Sequence, residues 1–367
     1  MLPIPPWPAF RPSESNLCYA RFMTVEVRKP TIVRWYRCHL NPPDLKFLHE
    51  RSDLRGFIQT LGFLAVLATT GSMAFFSFGR LPWPAVVALV FLHGTVCAFL
   101  PNEIHELGHG TVFRTKWLNG FFNRILSFFA WINFEMFKAS HARHHRYTLH
   151  PPDDGEVVLP LHVMVRDFFF KGFVDPATLV KTIWSAIRAA CGYMQTSMGG
   201  AYFSHKWMEI AFSDSTPEEK RRPIRWARFL LLGHGAILAV SIYFHLWMLP
   251  VVTTLVPFYG NWLFFLCNNT QHIGLQDNVP DFRLCCRTFI LNPVVGFLYW
   301  HMNYHAEHHM YAAVPCYKLA RLRSLIESDM PPATRGLLAT WIEIAAIQKR
   351  QKTDPGYQFA VPLPGRV

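Results

Sequence analysis

Two long stretches of the chain are almost empty of charge. Between Arg55 and Glu103 the only charged residue is Arg80, and between Arg228 and Asp277 there is no Lys, Arg, Asp or Glu. The first stretch divides at Gly79-Arg80-Leu81-Pro82-Trp83-Pro84 into apolar runs over 57–78 and 84–100. The second divides at Pro250 into 229–249 and 250–267. A helix that crosses the hydrocarbon core of a bilayer needs about 20 apolar residues, with a range of ~17–25. All four runs reach that length, and none carries the polar face of a buried soluble helix. The pattern predicts an all-α integral membrane protein with four transmembrane helices in two hairpins.

Two hairpins leave the segments 1–56, 101–228 and 268–367 on one side of the membrane. Those segments hold 35 of the 36 Lys and Arg, Arg80 being the exception. The excess of positive charge places them on the cytoplasmic side. Residues 117–137 read as an interfacial stretch, aromatic but broken by Asn119, Arg124, Asn133 and Glu135. Residues 289–299 are too few to cross and are interrupted by Pro293. Thr216-Pro217-Glu218-Glu219 has the form of a helix start, with an N-cap Thr, Pro at the first position and Glu at the third. A final amphipathic helix is expected over 335–351, followed by a Pro-rich tail. The organisation is then a cytoplasmic N-terminal segment (1–56), a membrane catalytic domain with its helical cap (57–309), and C-terminal helices and tail (310–367).

Composition agrees with this division. A chain of 367 residues is long enough for two or three soluble domains. Yet it is 51% apolar and only 16% charged, against roughly 25% charged in an ordinary globular protein. With 32 Phe and 12 Trp, much apolar surface must face something other than water. The net charge of +12 would suit nucleic acid, but no basic cluster coincides with a groove-reading or base-stacking motif. Nucleic acid is therefore not an expected partner, and the charge reads as a marker of orientation. The eight Cys have no CxxC or paired spacing, which fits reduced thiols. Residues 1–15 are rich in Pro and lack an apolar core, so insertion is expected to use internal segments.

Histidine carries the chemistry. There are eighteen, and eight fall in three boxes: His105-Glu106-Leu107-Gly108-His109, His141-Ala142-Arg143-His144-His145 and His305-Ala306-Glu307-His308-His309. On a helix, positions i, i+3 and i+4 share a face, so each box should project two or three imidazoles in one direction. One structural site takes four ligands, so eight or more imply a di-metal site. Topology adds a ninth. His105 lies 21 positions beyond Pro84 and His272 lies 22 beyond Pro250, so both should emerge at the same depth past their spans. Asn268, four residues before His272, is a weaker candidate. His301, one turn before His305, reads equally as a ligand or as a hydrogen-bonding neighbour of one. His39, His49, His162 and His205 read as surface or interfacial, while His93, His234 and His245 lie within spans. Asp153 and Asp154 read as solvated loop residues rather than as groups that orient imidazoles.

The order HxxxH, HxxHH, isolated His, HxxHH around two hairpins resembles the membrane fatty acid desaturase and hydroxylase superfamily, over about Phe57 to His309. The first box is similar to that of acyl-lipid desaturases. The third box lacks the leading Gln of the front-end desaturases, and no HPGG haem motif of a fused cytochrome b5 is present. The resemblance implies a non-haem di-iron centre held by His105, His109, His141, His144, His145, His272, His305, His308 and His309. It implies no catalytic residue beyond these ligands. It further implies O₂ as co-substrate, a lipid or fatty acyl substrate, and a separate electron donor of the cytochrome b5 or ferredoxin type. The setting would be the endoplasmic reticulum or a bacterial inner membrane, and the outcome desaturation or, alternatively, hydroxylation. Two other classes remain. The first box also matches HExxH, the zinc metalloprotease signature with Glu106 as general base, and a non-catalytic membrane metal-binding protein is the third reading.

Overall fold

A computed structural model describes residues 32–159, 161, 163–198 and 201–365, of which Arg34 onward form one compact unit. The Pro-rich start of the chain and His162 lie outside the described residues. Among those described, three helices are long and apolar enough to cross a bilayer: Asp53–Ser77, Trp83–His109 and Pro217–Tyr243, of 25, 27 and 27 residues. At about 1.5 Å per residue they run to roughly 37–40 Å, longer than a ~30 Å hydrocarbon core.

Local sequence explains their ends. Ser52 caps the first helix by accepting from Arg55 N. Gly79, at φ +72°, makes the turn into the second, which Pro82 and Pro84 begin. The second leaves α geometry only at Ala98 and Phe99, because Pro101 has no N–H to return to the Cys97 carbonyl. It stops at Gly110, whose φ of +68° is the left-handed C-terminal cap. The third helix starts as the sequence suggests. Thr216 accepts from Glu219 N, and Glu219 accepts from Thr216 N, behind Pro217.

These helices are apolar outward. Leu54, Ile58 and Phe76 on the first, Trp83 and Val87 on the second, and Phe229, Leu232 and Ile242 on the third are exposed. Only 22% of the apolar window of Pro217–Tyr243 is buried. In water such a surface would be an association liability; it suits lipid.

The expected fourth span is a correction. Residues 250–267 do not form one helix but a broken path: helix Met248–Thr253, a 3₁₀ turn Val256–Phe258, and helix Trp262–Asn268. The turn after the third long helix falls at 244–247, where His245 has φ +55°, and not at Pro250. Pro250 sits in the first turn of its short helix, where a missing N–H is tolerated. Pro257 and Gly260 (φ +73°) interrupt the chain between that helix and Trp262–Asn268. The broken path packs closely on the second long helix. Trp262 Nε1 donates to Thr95 Oγ1 at 3.1 Å, and His93 Nε2 lies 3.0 Å from the Val252 carbonyl. His234 bonds the Phe128 carbonyl at 3.0 Å and lies between the Phe128 and Trp131 rings. His93 and His234, both on long apolar helices, thus tie neighbouring segments together, while His245 is exposed in its turn.

Among the described residues the remaining regular elements are short helices and two small sheets, Thr196–Met198 antiparallel to Ala201–Phe203 and Phe289–Ile290 parallel to Thr334–Arg335. The stretch 117–137 divides at Asn133, which caps helix Phe134–Tyr147 after helix Lys116–Phe129 ends. The final helix is Leu337–Gln351, and the seven described cysteines are free. Phe99, edge-on to Tyr299 and Phe264 with centroids 6.0 Å apart, links the second long helix to the end of helix Pro293–Leu298, which precedes the third histidine box, and to the broken path.

The close approach at Gly94 is testable. A Cβ there would lie 2.4 Å from the Tyr259 ring and 2.6 Å from its carbonyl oxygen, and one on Gly260 would lie 2.6 Å from Thr95 N. Gly94→Ala should cost ~1–3 kcal/mol, as overpacking does, read as a lower unfolding temperature in detergent. Gly235→Ala, with open space around it, should be neutral or slightly stabilising.

Candidate metal centre

Four segments deliver nine histidines to one place. His105 and His109 stand one turn apart at the end of the second long helix. His141, His144 and His145 occupy the last turns of Phe134–Tyr147. His305, His308 and His309 lie on the six-residue helix His305–Met310, and His272 on the turn after Trp262–Asn268. They form two groups. His105, His109, His141, His145 and His308 make one; His144, His272, His305 and His309 make the other. Within each group one ring nitrogen per residue lies within 4.8 Å of all the others. His145 and His309, with centroids 4.3 Å apart, bring the groups into contact.

The division follows from the helix itself. At about 100° per residue, i and i+4 diverge by ~40°, while adjacent residues diverge by ~100°. In each HxxHH box the first and last histidines therefore stay together and the middle one turns away. The second box gives His141 and His145 to the first group and His144 to the second. The third box does the reverse, giving His305 and His309 to the second group and His308 to the first. The expectation that each box points one way holds for the first box, whose two histidines join one group, and is corrected for each HxxHH box to two histidines one way and one the other.

The nitrogen atoms are arranged for ligation. His141 Nδ1 donates to Glu156 Oε1 at 2.7 Å, His144 Nδ1 to Asp154 Oδ2 at 2.8 Å, His272 Nδ1 to the Cys285 carbonyl at 2.8 Å and His309 Nδ1 to Thr148 Oγ1 at 3.1 Å. A proton held on Nδ1 leaves the Nε2 lone pair free, the pattern that fixes ligating imidazoles. Buried Nε2 atoms of His105, His109, His141 and His309 have no hydrogen-bond partner among the described residues. Such orphans are costly unless something binds them. The Nε2 atoms of His272 and His305 are 3.0 Å apart, and those of His145 and His308 are 3.1 Å apart. Two imidazoles bound at about 2.1 Å and at right angles would be separated by about that much.

Carboxylates support the groups from behind. Asp154, expected to be solvated, is buried, and it also accepts from Leu149 N and Glu156 N. Asp153 is the more open neighbour, 4.0 Å from Arg143. Sequence reasoning missed Glu156, which accepts from Ser140 Oγ as well as from His141. Glu106, read from the sequence only as the general base of a zinc protease, is buried against Nδ1 of His105 and His308 at 3.1 and 3.3 Å, and Glu307 was missed as well. Glu307 accepts from Thr288 Oγ1 and, at 3.0 Å, from Arg323, so the third box is pinned from the C-terminal region. The acidic run Asp153-Asp154-Gly155-Glu156, starting eight residues past the second box, was the available signal.

His301 joins neither group. The helix ends at Asn268 and the chain turns at Asn269, so Asn268 and His272 do not share a helical face. His301 sits in a turn at φ +57°. His39 and His49 are exposed, and His205 is half-buried.

Burial holds His141, His145, His272, His305, His308 and His309 below the ordinary imidazole pKa, with repulsion between neighbouring imidazoles adding to it; His272 falls to about 3. For His144 burial is outweighed by the Asp154 carboxylate, and its pKa is raised. Burial pushes Glu156 up to about 7.

The comparisons with known proteins agree with this geometry. Residues 81–341 match the family described as fatty acid desaturase. A curated relative, the sn-1 oleoyl-lipid 12-desaturase of Picosynechococcus sp., is 22% identical over 297 residues, covering 77% of this chain and 79% of the relative. The chain belongs to the fatty acid desaturase family, a membrane-bound family of lipid oxidoreductases.

Two outcomes test this arrangement. Glu307→Ala should cost about 3–5 kcal/mol by stranding the buried Arg323, and adding Arg323→Ala should cost less than the sum of the two, read by unfolding. The metal-free protein should lose stability as pH falls from about 6.5 towards 3. Across that window the unfolded imidazoles bind protons that the six depressed histidines refuse. His144 and Glu156, whose raised values favour the fold on acidification, oppose this but are outnumbered. Unfolding temperature across the pH range checks the sign.

Proposed function

We propose that the chain is a membrane-bound non-haem di-iron oxidoreductase that uses O₂ and external electrons to desaturate a fatty acyl or lipid chain. The observation that carries this reading is the division of nine histidines, seven of them buried and His109 and His145 half-buried, into groups of five and four, within a chain of the desaturase family. His105, His109, His141, His145 and His308 would hold one ion, and His144, His272, His305 and His309 the other. Imidazole nitrogen suits iron. Two irons would supply the redox chemistry that activates O₂ for attack on an unactivated C–H bond, which zinc lacks.

The chain's own residues prepare the site. Asp154, Glu156, Thr148 and the Cys285 carbonyl hold Nδ1 protons, so that Nε2 of His144, His141, His309 and His272 stays open for ligation. Burial favours the neutral form of His141, His145, His272, His305, His308 and His309 and keeps water away. Glu106 faces two imidazoles from a fully buried position, which suits a charge-balancing role better than that of a protease base. A zinc protease would also leave the four-histidine group without a task. Asn268 and His301 are proposed as neighbours of the second group. The catalytic portion is assigned to 57–309, with 1–56 and 310–367 flanking it. The Lys and Arg distribution supports a multi-pass chain with its site on the cytoplasmic side and a separate donor of the cytochrome b5 or ferredoxin type. Desaturation is preferred over hydroxylation by the named relative, a lipid 12-desaturase.

Expression in a host of defined lipids, followed by mass spectrometry, tests the reaction. Loss of two hydrogens supports desaturation, and gain of one oxygen supports hydroxylation. Neither change, with one zinc per chain, would overturn the reading. His308→Ala should abolish turnover and lower bound iron while membrane insertion persists. Asp154→Asn should weaken iron binding ~10–100-fold, as loss of a ligand's hydrogen-bonding partner does, measured by chelator competition.

A further inference from the structure

A groove of about 790 Å³ opens between helices Lys116–Phe129 and Pro217–Tyr243, beside the first turn of Phe134–Tyr147. Its floor is aromatic. The Phe134 and Trp226 rings meet at 4.8 Å, Trp226 and Phe229 at 5.1 Å, and Phe229 is 52% exposed. Its rim is cationic, with Arg124, Arg222 and Arg225 against the one carboxylate of Glu135 among the lining residues.

These arginines are not equally committed. Arg225 pairs with Glu218. Arg124 donates to the Gly120 carbonyl at 2.9 Å and lies over the Phe134 ring at 5.6 Å, so no carboxylate neutralises it. Arg222 is exposed and makes no hydrogen bond among the described residues, although the Glu219 carboxylate one turn away feels its charge. The surrounding segment is basic too. Lys220, Arg221, Arg222, Arg225 and Arg228 stand against Glu218 and Glu219 immediately before the apolar part of the helix begins at Phe229. A cluster of that size next to a membrane-crossing helix attracts anionic headgroups, and guanidinium is the side chain best matched to phosphate oxygens.

We propose that this groove binds one anionic phospholipid, with its phosphate on Arg124 and Arg222 and an acyl chain laid along Phe134, Trp226 and Phe229. The proposal needs Pro217–Tyr243 to lie in a membrane and is otherwise independent of the reaction. From Arg222 to Gly233, which also lines the groove, the helix rises ~16 Å. That carries a bound chain from headgroup level well into the hydrocarbon. Phe134 opens the helix that bears His141 two turns further on, so the lipid would lie beside the second histidine box.

The full chain, reconstituted in vesicles of equal phosphatidylglycerol and phosphatidylcholine and released into mild detergent, can be examined by native mass spectrometry. One phosphatidylglycerol should be retained in preference to phosphatidylcholine. Arg124→Gln with Arg222→Gln should reduce that preference by roughly fivefold per arginine. Lys220→Gln with Arg221→Gln, on the same segment but outside the groove, should leave it intact. Equal retention of both lipids, or an equal loss in the control pair, would overturn the proposal in favour of ordinary annular lipid or diffuse surface charge. Retention is read without turnover. An inactive chain that keeps its lipid would count against the desaturase reading alone, and an active chain without preference against this proposal alone.

Discussion

The constraint on which the rest depends is that nine neutral imidazoles must converge, largely out of water, on two points. Burying that many polar rings is unfavourable unless each nitrogen has a partner. The protein meets part of the demand itself, through Asp154, Glu156, Thr148 and the Cys285 carbonyl on the Nδ1 side of four rings. The opposing nitrogens are left facing one another. Much of the surrounding structure holds that unfavourable convergence in place: the Glu307–Arg323 pair behind the third box, the Asn133 cap before the second, and the Gly110 stop after the first.

Helix geometry turns this constraint into two sites rather than one crowded one. Because adjacent residues on a helix diverge by ~100°, the doubled histidine at the end of each HxxHH box must serve two directions. The second and third boxes exchange their middle histidines across the interface between the groups. Neither group is complete without residues from both boxes, and the first also requires the second long helix, the second the turn that carries His272. Metal chemistry and tertiary packing are for this reason one problem. Any shift of His305–Met310 would disturb both groups together.

The long helices serve the site by position. Trp83–His109 carries two histidines to the end of an apolar run, and the broken path of 248–268 folds against the same helix at Gly94 before it reaches His272. The interruptions at Pro257 and Gly260 bring the chain's backbone within van der Waals range of Gly94 and Thr95, an approach that a side chain at Gly94 would block. Outward, the same helices present leucine, isoleucine and phenylalanine, and the basic stretch before Phe229 marks where that apolar surface ends.

Much of this was legible in the residues. Charge-free runs located the three long helices, Thr216 and Pro217 marked a helix start to the residue, and the three boxes with His272 picked out the nine histidines that the fold gathers. These signals are local: they depend on spacing along one helix or on the absence of charge along one run. The unbroken fourth span was misread because composition alone does not report where Pro257 and Gly260 will bend a chain that has a neighbour to pack on. Asp154 and Glu156 were passed over because a carboxylate in a loop looks solvated until another segment covers it. Sequence by itself determined which side chains could bind metal and that the chain is built for lipid. Only the tertiary structure decided which histidine belongs to which group and which carboxylate stands behind it. That choice depends on relative helix orientation, to which a one-dimensional pattern is blind.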